Sequence, residues 1–384
     1  MSNIPCVEYS LCERIFMVYD NAVIGLGPAG ASFARLIDSR QYKVIAFDKK
    51  DPRHPESHPK PCGGLLSPDA LRALSRFDLP IPREVVATPQ IFYVKIIDMD
   101  TRVTRNYPRF YLNIDRQKFD LWLMSLIPDS VTVCCDTLVT RICPSDGLYK
   151  ITYRRNGSDH TVTAKSIVGA DGARSIVTRT FFNRGLQRLR LSIQEWYPHN
   201  SHNPFFSCIF DSHNSDSYAW SLCKDGYIIF GGAYRIGSAR KAFDRQKEKL
   251  AQYGVSLPAP VKREACLVRR LHSFSGIDLG HENVLLLGEA AGFVSPSSYE
   301  GISGAMDSAR LLSRVFNQDH IGILKRYKKA AWRMRLKYSM KVLKSAVLCS
   351  PFLRRLIMKS GINTIDVIDK QPPIAGKIPS GIIS

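Results

Sequence analysis

Apolar and polar positions along the chain fall into three patterns, each predicting a different kind of element. Short apolar runs bounded by small residues recur at YDNAVIGLGPAG (19–30), YKVIAFDKK (42–50), AKSIVGADGARSIVTR (164–179) and VLLLGEAAGF (284–293), and they predict buried strands running into tight turns. Residues 91–107 and 204–234 instead alternate apolar with polar positions and are rich in β-branched and aromatic side chains, which predicts strands of a mixed or antiparallel sheet. Helical spacing follows the first turn in ASFARLIDS and resumes from Asp307 onward, where the chain also turns basic. The closing QPPIAGKIPSGIIS has no periodicity and is expected to be flexible.

With 384 residues and 45% hydrophobic content, the chain can build two domains around a sizeable core. No run reaches the roughly 18 apolar residues that span a bilayer, and MSNIPCVEYSLCERIFMVYD lacks the order of a secretory signal. The first strand begins almost at Met17, so residues 1–16 read as a poorly ordered extension. Ten cysteines without zinc-type spacing read as reduced thiols in a cytoplasmic protein, and no metal site is expected. Lys and Arg number 54 against 34 Asp and Glu, a net charge of +20 that favours anionic partners. No zinc-finger, RNA-recognition or helix-turn-helix signature accompanies this charge, so nucleic acid is not expected.

The candidate chemistry sits at the turns. Gly25-x-Gly27-x-x-Gly30, with Pro28 and Ala29 inside it, joins a strand to a helix. There the first glycine permits the turn, the second lets a pyrophosphate approach bare backbone, and the third lets helix and strand pack closely. Asp48, followed by Lys49, ends the next strand eighteen residues after Gly30, where a carboxylate can accept ribose hydroxyls. Asp171-Gly172 is by itself an ordinary turn signal. Glu289 precedes Ala290, Ala291 and Gly292, which leave room for a ligand, and Gly301-Ile302 opens a further helix. Two more stretches stand out: Cys62-Gly63-Gly64 in a proline-rich loop, and Tyr218-x-Trp220 with Gly231-Gly232 downstream.

In this order and spacing the three turns resemble those of the aromatic hydroxylase flavoprotein superfamily, and the CGG loop with the YxW strand is similar to that of its geranylgeranyl reductase-like FAD-dependent oxidoreductases. The runs KPCGGLLSPDA, RNYPRFYLNIDRQKFDLWLMSLIP and GEAAGFVSPSSYEGIS narrow the resemblance to one branch of these reductases, found in enteric bacteria, over Met17 to about residue 363. The resemblance implies an α/β fold: a Rossmann-like FAD-binding domain of glutathione-reductase type, a mixed β-sheet substrate domain and a C-terminal helical segment. The implied FAD-binding domain is discontinuous (17–90, 108–182 and 270–315), the substrate domain takes 91–107 and 183–269, a basic helical region takes 316–363, and a flexible tail 364–384. It further implies that Glu289 holds the ribityl chain of FAD, that Arg116 lies along its pyrophosphate or ribityl region, and that Cys62, Gly63 and Gly64 sit by the flavin. Backbone N–H groups of Gly301 and Ile302 are expected at the flavin N1/O2 edge, where a helix N-terminus stabilises negative charge. Tyr218 and Trp220 are expected to line an isoprenoid cavity, and Cys62 to serve as proton source or polar neighbour. The chain departs from the family in carrying Glu289 for Asp, Cys223 for Pro and Ala233 for Gly.

The function so implied is FAD-dependent reduction of C=C bonds in an isoprenoid or other lipid-like substrate. One dinucleotide fingerprint is present, so the electron donor, NAD(P)H or a redox protein, is expected to visit transiently. Two alternatives stay open: a flavin monooxygenase or halogenase, the latter disfavoured because Trp220 stands alone where halogenases pair two tryptophans, and a membrane-associated FAD-binding protein without turnover. Residues 325–348 hold nine Lys or Arg interleaved with Trp332, Met334, Leu336, Met340 and Leu343. That run reads either as a helix lying on anionic lipid at the inner face of the membrane or as a solvated charged face.

Overall fold

The computed structural model describes residues 17–182, 189–200, 202–252, 257–318 and 321–368; the expectations for 1–16 and for most of the tail lie outside these. Along the chain, β1 (Val18–Ile24) runs into α1 (Pro28–Leu36) and β2 (Val44–Phe47), the hairpin β3 (Ile91–Asp98) and β4 (Val103–Asn113) follows, and then α2 (Arg116–Ser125). The long β5 (Ser158–Gly169) precedes three strands, β6 (Phe205–Phe210), β7 (Tyr218–Lys224) and β8 (Tyr227–Tyr234). Late in the chain come β9 (Val284–Leu286), the short α3 (Gly288–Ala291), α4 (Ile302–Gln318), α5 (Trp332–Cys349) and α6 (Pro351–Ser360).

Two eight-stranded sheets result. In the first, β9, β5, β1 and β2 are parallel neighbours in that order, and Thr132–Cys134 adds a further parallel strand beyond β2. These strands are buried on both faces, which is why they read as unbroken apolar runs rather than alternations. In register, Ile24 lies opposite Phe47 on one side and Gly169 on the other, and Gly169 in turn opposite Leu286. Four strands therefore end level with one another, and the turns that follow them share one edge. α1 and α4 cover one face with Phe33 and Phe316 packed edge to face at 5.7 Å.

The second sheet runs Lys262–Arg269, Leu189–Pro198, β8, β7, β6, β3, β4 and Leu65–Leu66. It is mixed, because β6 pairs with β3 in parallel while the other pairings are antiparallel. Its extent differs from the expected limits: β4 continues past residue 107 to Asn113, and Leu65–Leu66 pairs with its end. The alternation fades there because the register shifts between the Tyr93–Pro108 and Ile91–Tyr111 pairs, which leaves Arg109 and Phe110 exposed at an irregularity before pairing resumes.

Candidate functional site

The fold of the glycine loop requires two of its three glycines. Gly25 has φ +93°, and a side chain on it would lie 2.8 Å from both Ala170 O and Asp171 Cα. Gly30 faces Gly25 O so closely that a methyl group would overlap it. Gly27 differs: no heavy atom lies within 4 Å of where its Cβ would be, and its φ of −67° suits any residue. The turn is thus closed against the Ala170–Asp171 segment and open above Gly27. Asp48 secures it from the neighbouring strand, Oδ2 accepting the Leu26 N–H at 2.6 Å and Oδ1 the Lys50 N–H at 2.8 Å. Each oxygen retains a second lone pair for a hydroxyl. Pro28 and Ala29 are buried in the first turn of α1, and Lys49 is exposed.

The other two turns meet this one. Asp171 Oδ2 accepts the Ile176 N–H at 2.6 Å, while its Oδ1 is buried with no partner. Burial pushes this carboxyl up against the hydrogen bonds that lower it. Glu289 sits one residue into α3, its Oε1 accepting the Arg269 N–H at 2.8 Å from the last strand of the second sheet, and its Oε2 lying 4.0 Å from Lys60 Nζ. A side chain on Gly172 would reach that same Oε2 at 3.6 Å, so the Asp-Gly turn and the late acid are neighbours. Gly292, with φ +95°, caps α3.

Arg116 is the first residue of α2. Its Nε donates to Asp120 Oδ1 at 2.8 Å, Lys50 Nζ donates to Asp120 Oδ2 at 2.6 Å, and Arg116 Nη1 lies 3.8 Å from Cys62 Sγ. Burial alone would raise the Asp120 carboxyl, but Arg116 and then Lys50 hold it down to about 2. Arg116 is therefore anchored by one edge with Cys62 beside the other. Gly64, at φ +67°, lies where a side chain would overlap Ile114 O and Lys224 Nζ. Its N–H donates to Cys62 Sγ at 3.4 Å.

One face of β7 joins the remaining pieces. Residues two apart share a face, so Tyr218, Trp220, Leu222 and Lys224 point the same way. At one end the Tyr218 hydroxyl donates to Ser298 O at 3.1 Å, in the loop before α4. At the other end Lys224 Nζ donates to Gly63 O at 2.7 Å and Ile114 O at 2.6 Å. Between them the Trp220 indole lies over Gly231, where a Cβ would stand 2.7 Å from the ring, and its Nε1 is buried with no partner. The second sheet thus bridges the CGG loop and the N-terminus of α4. Gly301 O accepts the Ala305 N–H at 2.8 Å, so Gly301 precedes the helix and the first-turn N–H groups of Ile302, Ser303 and Gly304 have no intrahelical acceptor.

Four contributors were not singled out from the sequence as site residues. Lys224 carries no motif; only an isolated lysine closing an apolar strand hinted at it. Tyr111 donates to Glu300 Oε1 at 3.2 Å, and Arg109 Nη2 is 3.8 Å from the same atom. Glu300 stood in plain view beside Gly301 but read only as part of a helix start. Burial, then Glu300, pushes the Tyr111 hydroxyl far above its usual range, so it remains a proton donor.

Lys224 gives a pH prediction. Burial pushes its ammonium down to about 8 from an ordinary value of 10.5. Across that window the unfolded chain binds a proton that the folded chain has released, so stability contributed by this site rises with pH. Urea unfolding of the wild type and of Lys224→Met over that range is expected to show the wild type gaining on the variant as pH increases. A difference independent of pH contradicts the assignment.

The residues present suit a dinucleotide with a polyol arm: a backbone loop open above Gly27, a buried unpartnered Asp171 oxygen, and Glu289 facing Gly172. Among the described residues no His, Cys, Asp or Glu cluster could hold a metal, and the described cysteines are free thiols. A level row of parallel strand ends beneath a second mixed sheet is the fold of FAD-dependent oxidoreductases. The chain superposes on a geranylgeranyl bacteriochlorophyll reductase-like protein from Thermoplasma acidophilum with a TM-score of 0.73 at 19% identity, covering 88% of this chain and 90% of that one. It also superposes on a probable FAD-dependent monooxygenase from Pseudomonas aeruginosa with a TM-score of 0.64 at 13% identity, covering 90% and 99% of the two chains. In sequence it is 43% identical over 354 residues to Protein CbrA of Escherichia coli O6:H1, covering 92% of this chain and 96% of that protein. The chain belongs to the CbrA family. No protein-family model matches it.

Proposed function

We propose that the chain is an FAD-dependent reductase that saturates a C=C bond of an isoprenoid or other lipid-like substrate. The observation that carries this reading is the single face of β7 running from the CGG loop to the N-terminus of α4, with Trp220 between them. FAD, when bound and reduced by a visiting donor such as NAD(P)H or a redox protein, supplies a hydride at N5. The open backbone above Gly27, at the N-terminus of α1, takes the pyrophosphate. Asp48 would accept ribose hydroxyls, Asp171 Oδ1 and Glu289 Oε2 would accept hydrogen bonds from the ribityl chain, and Arg116 would face the phosphate side with the edge that lies beside Cys62. The N–H groups at Gly301 and Ile302, at the start of α4, would stabilise negative charge on a flavin held there. Trp220 and Tyr218 provide the apolar wall, and Cys62 serves as proton source or polar neighbour on the loop that Lys224 ties down.

The geranylgeranyl reductase-like neighbour supports the reductase, but its fold is shared with the monooxygenase, so the fold alone does not choose between them. The test is anaerobic reduction followed by addition of prenyl lipids. Flavin reoxidation without oxygen is the expected result. Turnover only in oxygen indicates the monooxygenase, and neither indicates a binding protein.

A further inference from the structure

α5 and α6 rest on the body of the protein through one face each. Tyr338 and Ser345 of α5, and Arg354 and Met358 of α6, are the buried positions. Pointing the opposite way on α5 are Trp332, Leu336, Met340 and Leu343, which are 54, 50, 59 and 61% exposed. Separations of four, four and three residues stack these side chains in one stripe. Phe352 and Leu356 of α6, 69 and 54% exposed, repeat the arrangement. A solvated charged face would place its charges on this outermost line. Here they flank it instead, with exposed Arg333 and Lys344 beside the α5 stripe and exposed Arg355 beside the α6 stripe, while Lys359 continues the α6 line at its C-terminal end. Lys337 and Lys341 are engaged elsewhere, 3.0 and 3.1 Å from Asp69, and so tie α5 to the body.

We propose that this face docks on an anionic phospholipid bilayer, with the apolar stripes in the headgroup–acyl boundary and the flanking cations among the phosphates. Charge complementarity selects this occupant. A second copy of the chain would bring the same cations against one another, on a protein already carrying +20. No described helix is long and apolar enough to cross a membrane, so the contact is peripheral.

The test is flotation of the full chain with vesicles of mixed phosphatidylglycerol and phosphatidylcholine, and with phosphatidylcholine alone. Co-flotation with the anionic vesicles and release by salt are expected. Leu336→Glu/Met340→Glu is expected to abolish binding while keeping the wild-type unfolding midpoint, since both positions are exposed. Lys344→Gln and Arg355→Gln are each expected to lower partitioning about fivefold. Absence of co-flotation, or undiminished binding by the double variant, overturns the proposal. So does a dimer in sedimentation that the double variant dissociates without any vesicle binding, because the face is then a contact between copies. Binding is read without turnover, so its failure and that of the proposed reaction are separate results.

Discussion

Gly27→Val is expected to yield protein that folds as well as the wild type and purifies without a yellow chromophore. The site separates ligand from scaffold in a way its neighbours do not. Gly25 and Gly30 each face backbone atoms, and Gly25 also has a positive φ, so a side chain at either forces the loop and strand apart. Such overpacking costs about 1–3 kcal/mol or more and would remove the cofactor indirectly. Gly27 has open space before it and ordinary backbone angles, so valine there costs the fold little. What valine does is hold a phosphate off the N–H groups of α1. The expected loss of FAD affinity is on the order of a hundredfold or more, the equivalent of about 3 kcal/mol of charge-assisted hydrogen bonding. Cofactor titration alongside urea unfolding checks both halves. A Gly27→Val protein that retains full FAD occupancy would falsify the placement of the dinucleotide.

Arg354→Met is expected to cost about 3–5 kcal/mol of stability, the largest effect of any single substitution outside the glycine loop. The guanidinium is nearly inaccessible, at 3% exposure, and donates to Asp98 Oδ2 at 2.8 Å, Asp98 Oδ1 at 2.9 Å and Asp100 Oδ2 at 2.6 Å. It also donates to Leu348 O at 2.8 Å and lies 4.4 Å from the Phe210 ring centre. Burial by itself would raise the Asp98 carboxyl, yet Arg354 beside it lowers it. Removing the cation therefore leaves a buried carboxylate uncompensated, which is costlier than losing the bonds alone. Adding Asp98→Asn to the variant is expected to recover part of the loss, and a double-mutant cycle in urea measures how much. Because α6 is pinned to β3 through this arginine, the single variant is also expected to loosen α6 before the body unfolds, which hydrogen exchange at residues 351–360 can detect.

The parts of the site readable from sequence are those in which backbone geometry demands a residue type. Gly30 is required by the approach of Gly25 O five residues back in the same turn, and Gly25 by its positive φ and the nearness of Ala170 and Asp171, and the first of these requirements leaves a spacing in the sequence. The parts that escaped are long polar side chains acting from a distance. Lys224 reaches Gly63 across 161 positions, and Tyr111 reaches Glu300 across 189. No local pattern records such a pairing, because a lysine ending a strand or a glutamate before a helix is compatible with many environments. The reach of the second sheet to Asn113 and to Leu65–Leu66 escaped for a related reason: a ladder is held by backbone groups of a distant partner, whatever the side-chain alternation.

By itself the sequence determined that four apolar runs would be buried strands, that their turns would be glycine-bound and acidic, and that the late helices would be basic and amphipathic. Those properties follow from periodicity and from the conformational freedom of single residues, which are local. Only the tertiary structure decided that the four strand ends stand level, that β7 turns one face to both the CGG loop and the start of α4, and which side of α5 and α6 looks outward. These depend on register and on which face is covered by another element, and both are settled by packing between segments from about twenty to more than two hundred residues apart.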